Sequence, residues 1–233
     1  MRSSAASDVY KRQATACPDL HVLALSCDVC NSEPDERLWQ EIADEEKAVR
    51  ETVKLEQINK WLPIQATRQA YKRLGKDPNR YRPSSEALQR RILRGLPLYK
   101  VDTLVDLINL VSIRSGYSIG GFDADKIAGG SLVLGVGREG EVYHGIGRGE
   151  LNIAGLPVYR DAVGGVGTPT SDEERTKIGL DTTRLLMIIN GYSGLDGLES
   201  AGKYAADLLS KYVSAINMEA ELITAEDRRK ITL

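Results

Sequence analysis

The chain changes texture twice in its pattern of apolar and polar positions. Residues 20–27 alternate imperfectly, which predicts a buried strand. Ser32 is then the expected cap of an acidic helix, with Pro34 in its first turn and Asp35 three residues on. Leu38, Ile42, Val49 and Val53 recur on that helix at helical spacing, beside Trp39 and Ala43. A second helix is predicted over residues 55–74 and stops at Gly75. After the turn Asp77-Pro78-Asn79, Pro83 opens a third helix that runs to about Arg94. Residues 104–113 form a nearly continuous apolar helix.

After Gly116 the helical period disappears. From Ile119 to about Val166 glycines and short β-branched runs dominate, predicting strands at 131–136, 141–143, 156–159 and 162–166 joined by tight turns. Residues 185–189 read as a fully buried strand. A last helix at 196–213 carries Leu198, Ala201, Ala205, Leu208 and Tyr212 on one face, and a strand at 217–223 closes the chain. Helices first, a β-rich middle and a helix–strand ending give an α+β class. No internal repeat divides the pattern, so residues 14–233 are expected to form one domain.

Composition narrows this picture. The 233 residues are 42% hydrophobic and 27% charged with a net charge of −2, which excludes wholesale disorder and a globally basic nucleic-acid binder. No apolar run approaches the roughly 20 residues that span a bilayer. Residues 3–13 (Ser-Ser-Ala-Ala-Ser-Asp-Val-Tyr-Lys-Arg-Gln) resemble a translated sequencing adapter, and the native chain is expected to begin near Ala14. Three cysteines without a secretory segment point to reduced thiols and a cytoplasmic setting. Cys27-Asp28-Val29-Cys30 has CxxC spacing but lacks a second ligand pair, and reads as the end of the first strand rather than a metal or redox site. Gly135-Val136-Gly137-Arg138-Glu139-Gly140 is a literal GxGxxG, yet Glu141-Val142-Tyr143-His144-Gly145 cannot open the helix a dinucleotide site needs, so a turn is expected. No metal or cofactor is expected.

Charge is distributed unevenly. Residues 68–94 hold nine basic side chains (Arg68, Lys72, Arg73, Lys76, Arg80, Arg82, Arg90, Arg91, Arg94) against Asp77 and Glu86, whereas residues 32–51 hold eight acids against three bases. Such a stripe can engage a phosphate backbone, or it can pair with the acidic helix or with solvent.

Five stretches occur in a telling order. They are Arg82-Pro83-Ser84-Ser85-Glu86-Ala87-Leu88; Leu104-Val105-Asp106-Leu107-Ile108-Asn109-Leu110-Val111-Ser112; Gly120-Gly121-Phe122-Asp123 with Asp125-Lys126-Ile127; Val158-Tyr159-Arg160-Asp161; and Glu174-Arg175-Thr176-Lys177-Ile178. Together, over residues 19–210, they resemble the free-standing relatives of the editing module of the phenylalanyl-tRNA synthetase beta subunit, formed by that subunit's third and fourth domains. The resemblance implies a three-layer α+β domain with an unusual β-sandwich core and flanking helices. In the synthetase this module hydrolyses the ester of tyrosine wrongly attached to the tRNA for phenylalanine. A relative is accordingly expected to bind tRNA or aminoacyl-tRNA.

The resemblance implies a set of site residues. Asp106 and Asn109 match the polar pair of the synthetase's Val-Asp-Val-Thr-Asn stretch, and their spacing places both on one face of a helix. Gly120 stands where the synthetase has a pocket histidine, with Gly121 beside it. Asp181 matches the glutamate that recognises the tyrosine hydroxyl, one methylene shorter. Gly164, Gly165 and Gly167 resemble the pocket's glycine-rich wall, where backbone N–H groups can face a ligand, and Arg175 lies in the last matching stretch. Two functions follow from different classes. One is a hydrolase of misacylated tRNA with Asp181 and Asp123 as its carboxylates and Arg68, Lys72, Arg73, Arg90, Arg91 and Arg94 on the RNA. The other is a module that binds RNA or an aromatic amino acid without chemistry.

Overall fold

The structure, a computed structural model, describes residues 17–233. The adapter-like segment and the expected start near Ala14 lie outside the described residues. Strand β1 (His21–Asp28) leads into helices α1 (Glu36–Thr52), α2 (Leu62–Arg73), α3 (Ser84–Leu93) and α4 (Thr103–Ser115). The β-rich middle holds β2 (Ile119–Asp123), β3 (Val133–Val136), β4 (His144–Gly145), β5 (Gly149–Glu150), β6 (Pro157–Arg160) and β7 (Gly165–Gly167). The chain continues with β8 (Arg184–Gly191), α5 (Leu198–Val213), β9 (Ile216–Ile223) and β10 (Arg228–Ile231).

Five of these strands form an antiparallel sheet in the order β10-β9-β1-β8-β2, and three form a second in the order β3-β6-β7. The period of two along a strand sends alternate side chains to opposite faces. Leu23, Leu25 and Cys27 of β1 and Leu185, Met187 and Ile189 of β8 point to a core shared with Leu38, Leu107, Val111, Ala205 and Leu208 of α1, α4 and α5. Val22, Ile188 and Phe122 point the other way, onto Tyr159 and Val166 of the smaller sheet. Helices, large sheet and small sheet are therefore three stacked layers, and the α+β class is the one the texture predicts. Helix α2 instead clamps the β-rich middle, through Tyr71 against Tyr143, Ile153, Leu156 and Val158.

Several boundaries differ from the sequence reading, each for a local reason. Asp35, not Ser32, caps α1: its carboxylate accepts from the N–H groups of Arg37 (2.7 Å) and Leu38 (3.3 Å), while the Ser32 hydroxyl bonds Glu33 O and the Thr103 hydroxyl. The helix expected over residues 55–74 is divided into a 3-10 turn, Ile58–Lys60, and α2, because Pro63 fits only the first turn of a helix. Residues 141–143 form no strand, because Tyr143 is drawn into the α2 cluster. The strand expected at 162–166 starts at Gly165, since Asp161 turns the chain by accepting from the N–H groups of Val163 and Gly164. Strands β2 and β10 were not foreseen, and β9 is followed by β10 rather than closing the chain. At the GxGxxG the chain turns as expected, and a Cβ on Gly137 would lie 1.9 Å from Ile153 O. Among the described residues no helix is long and apolar enough to cross a membrane.

Candidate functional site

Helix α4 carries the first predicted pair. Asp102 caps it by accepting from Val105 N–H, and Asp106 is buried one turn on. Asp106 Oδ2 accepts from Trp39 Nε1 at 2.7 Å and Oδ1 from Val101 N–H at 3.1 Å, which fastens α1 to α4. Burial pushes its carboxyl up, and the two hydrogen bonds pull it part of the way back. Asn109 is half-buried and follows Ile108, whose side chain lies against Gly121 of β2.

Strand β2 is an edge of the large sheet, and its two glycines let other groups approach closely. A Cβ on Gly121 would lie 2.6 Å from Ile108 Cδ1 and 3.0 Å from Ile178 Cδ1. A Cβ on Gly120 would lie 2.8 Å from Phe122 Cζ, and one on Gly167 would lie 2.5 Å from the same atom and 3.0 Å from Asp172 Oδ1. The two glycines of facing sheets thus make room for one ring and one carboxyl.

That carboxyl is the residue sequence reasoning missed. Thr168 folds the segment after β7 into a turn, accepting from Thr170 and Ser171 N–H and donating its hydroxyl to Ser171 O. The turn delivers Asp172 to the free edge of β2, where Gly121 N–H donates to its Oδ2 at 3.1 Å. Ile146 N–H holds the Asp172 carbonyl at 2.9 Å. The residue is only half-buried, yet its carboxyl reaches into the wall. Desolvation pushes it up to about 8, against the downward pull of the Gly121 bond. The phenols of Tyr143 and Tyr159 stand near enough that burial and then the Asp172 charge raise both of them. Among the described residues no cation pairs with Asp172. The hydroxyl-rich run Thr168-Pro169-Thr170-Ser171, directly after a glycine-rich strand, was the one signal in the sequence.

The remaining predicted residues are placed as follows. Asp123 is buried, with Oδ1 on Asp125 N–H (3.1 Å) and Oδ2 on both the Thr182 hydroxyl and Lys126 Nζ (3.0 Å each). Asp181 is exposed on the turn before β8. Arg175 grips Asp161 with two bonds of 2.7 and 3.0 Å. Burial raises the Asp161 carboxyl, but that grip and three backbone N–H groups outweigh it and hold it well below the carboxylate range. Gly164 belongs to this turn, and Gly165 packs on Tyr143 and Val158. The structure thus gathers Gly120, Gly121 and Gly167 around Asp172, and sets Asp106, Asp181 and Arg175 in separate surroundings.

The basic stripe divides in two. Glu86 is fully buried and receives Arg68 Nη1 and Arg90 Nε at 2.8 Å each, with Arg82 Nε at 3.6 Å. Arg91 donates to Pro97 O and stacks on Tyr99. Lys76 is largely buried, donating to the carbonyls of Asn152 and Ala154. Lys72, Arg73 and Arg94 are exposed. Of the CxxC pair, Cys27 lies in the core with its thiol pushed up to about 12 by burial, and Cys30 is exposed.

Comparison with known proteins bears on this arrangement. The family model described as "B3/4 domain" matches residues 66–214. An N-terminal fragment of the phenylalanyl-tRNA synthetase beta-subunit from Pyrococcus horikoshii is similar at 13% identity and a TM-score of 0.47, over 91% of this chain and 50% of that one. This chain therefore spans half the length of that fragment. No curated protein matches the chain.

Proposed function

This chain belongs to the B3/4 domain family, and on that premise we propose that it binds aminoacyl-tRNA and removes the amino acid in trans. Ester hydrolysis needs a water held beside a group that takes its proton near neutral pH. The observation that carries the reading is Asp172, a carboxyl set between glycines with no partner cation among the described residues, which burial pushes up to about 8. In its ionised form it accepts a proton as water oxygen bonds to the acyl carbon. In its protonated form it returns that proton to the ribose oxygen as the ester bond breaks. The exposed side chains of Lys72, Arg73 and Arg94 offer positive charge to the phosphates of the tRNA.

One observation favours a second reading, recognition without turnover: the Phe122 ring already fills the space beside Gly120 and Gly167 next to that carboxyl. Deacylation of a panel of mischarged tRNAs separates the two. The hydrolytic reading expects turnover that falls at least about 100-fold in Asp172→Asn with tRNA binding kept, the scale of a lost general base. Binding without turnover in the unaltered protein leaves only the second reading.

A further inference from the structure

The small sheet covers only part of the large one. Beside it, between the large sheet and the connection from β2 to β3, lies a cavity of about 800 Å³. Its floor includes Val22, Leu186 and Ile188, and its opposite wall Ile127, Leu132 and Leu134. None of the site residues named from the sequence lines it. A concave hollow of this size, open on one side and with largely apolar walls, has the form of a small-molecule site.

The hollow has a cause in β1. The face of that strand toward the helices carries Leu23 and Leu25, fully buried, whereas the face toward the cavity carries the small Ala24 and Ser26. Among the described residues the charges at the rim are all paired internally. Arg184 pairs with Asp125 at 2.7 Å, Lys230 with Glu219 at 2.8 Å, and Arg228 with Glu221. A charged ligand would find each of these charges already matched by its partner, whereas an uncharged one needs no counter-charge.

We propose that this cavity is a binding pocket for an uncharged, largely apolar small molecule, seated on Ala24 and Ser26. The volume lies within the range of small-molecule sites, roughly 300–1,000 Å³. The inference is independent of the deacylase reading, because Asp172 takes no part in it.

The test is fluorescence titration of the full chain with the neutral probe N-phenyl-1-naphthylamine, beside the anionic 8-anilinonaphthalene-1-sulfonate. The expected result is saturable one-to-one binding of the neutral probe, with the sulfonate weaker by at least about tenfold. Ala24→Phe fills the hollow and lowers the affinity for the neutral probe at least about tenfold, with an unchanged circular dichroism spectrum. Should that variant fail to fold, Leu132→Trp narrows the cavity from the opposite wall and gives the same loss. Binding without saturation, equal or tighter binding of the sulfonate, or unchanged affinity in a folded filled variant overturns the proposal. So does binding only after an oligomer dissociates, because the cavity is then an interface between copies of this chain.

Discussion

Two acidic side chains withdrawn from bulk water, Glu86 and Asp172, stand in opposite company. Glu86, on α3, is met by Arg68 from α2, by Arg82 just before α3 and by Arg90 of α3 itself, three guanidinium groups around one buried carboxylate. Asp172 has one backbone N–H and two neighbouring phenols. Burying a charge is costly unless it is paired, so the first group serves as a strut among its arginines and the second is left with a proton to exchange. The lesson is that partners, more than burial, separate an architectural carboxylate from one available for chemistry.

The same chemical change at both positions is the strongest test of that contrast. Glu86→Gln keeps the shape and leaves three clustered guanidinium groups without their anion. A stability loss of about 3–5 kcal/mol is expected in urea unfolding, the usual result of removing one partner of a buried pair. Asp172→Asn is expected to move stability the other way at neutral pH. If both substitutions shift stability in the same direction, the contrast between strut and reactive group fails.

Next in size is the glycine that gives Asp172 its place. A methyl group at Gly167 would meet Phe122 Cζ at 2.5 Å and Asp172 Oδ1 at 3.0 Å, and the buried ring cannot swing out to solvent. Gly167→Ala is expected to cost about 1–3 kcal/mol, the range for overpacking a core. Gly164→Ala, where a Cβ meets nothing within 4 Å, is the control and is expected to change stability by less than about 0.5 kcal/mol. Thermal unfolding of the two variants side by side decides whether the niche is as tight as the distances state.

How far the sequence foretold this arrangement follows from which interactions are local. The strand alternation at Val22–Cys27 and the apolar stripe of α4 are visible in sequence because each is a periodic response to one buried face. Cap and turn details slipped where two residues competed for one role, as Ser32 and Asp35 did. The basic stripe was legible as charge but only partly as structure: Arg82 and Arg90 are i,i+4 neighbours of Glu86, whereas the reach of Arg68 to it from α2 depends on how two helices meet. Asp172 was marked only by the hydroxyl-rich run before it, for the same reason. Nothing local marks an aspartate as desolvated when the walls that desolvate it come from β2 and from the small sheet.

The pH dependence of Asp172→Asn sharpens the picture further. The folded carboxyl titrates near 8 and the unfolded one near the ordinary value of about 4, so between those limits the folded state binds more protons than the unfolded one. Stability of the unaltered protein therefore falls from this group as pH rises through that window, and the contribution is constant above it. The variant lacks the slope. Its advantage in melting temperature is expected to be near zero at pH 4, to grow to about 10 °C by pH 8, and to level off beyond. A flat difference across the window would mean that Asp172 is solvated like a surface carboxylate.

The smallest effects on stability are expected at the exposed end of the stripe, where the comparison is between arginines that hold Glu86 and cations that hold nothing inside the fold. Lys72 and Arg94 are exposed, and among the described residues neither side chain has a partner. Replacing both with alanine removes no packed contact, so unfolding should change by less than about 0.5 kcal/mol. If these cations meet tRNA phosphates, each one lost releases roughly one fewer counterion on binding. The slope of log affinity against log salt then becomes shallower by about 1–2 in the double variant. Arg68→Ala and Arg90→Ala would each weaken tRNA binding only as far as they unfold the protein, because their charge is spent on Glu86. An unchanged salt slope in Lys72→Ala with Arg94→Ala, measured on folded protein, would remove this face from the RNA contact and leave the stripe a purely internal device.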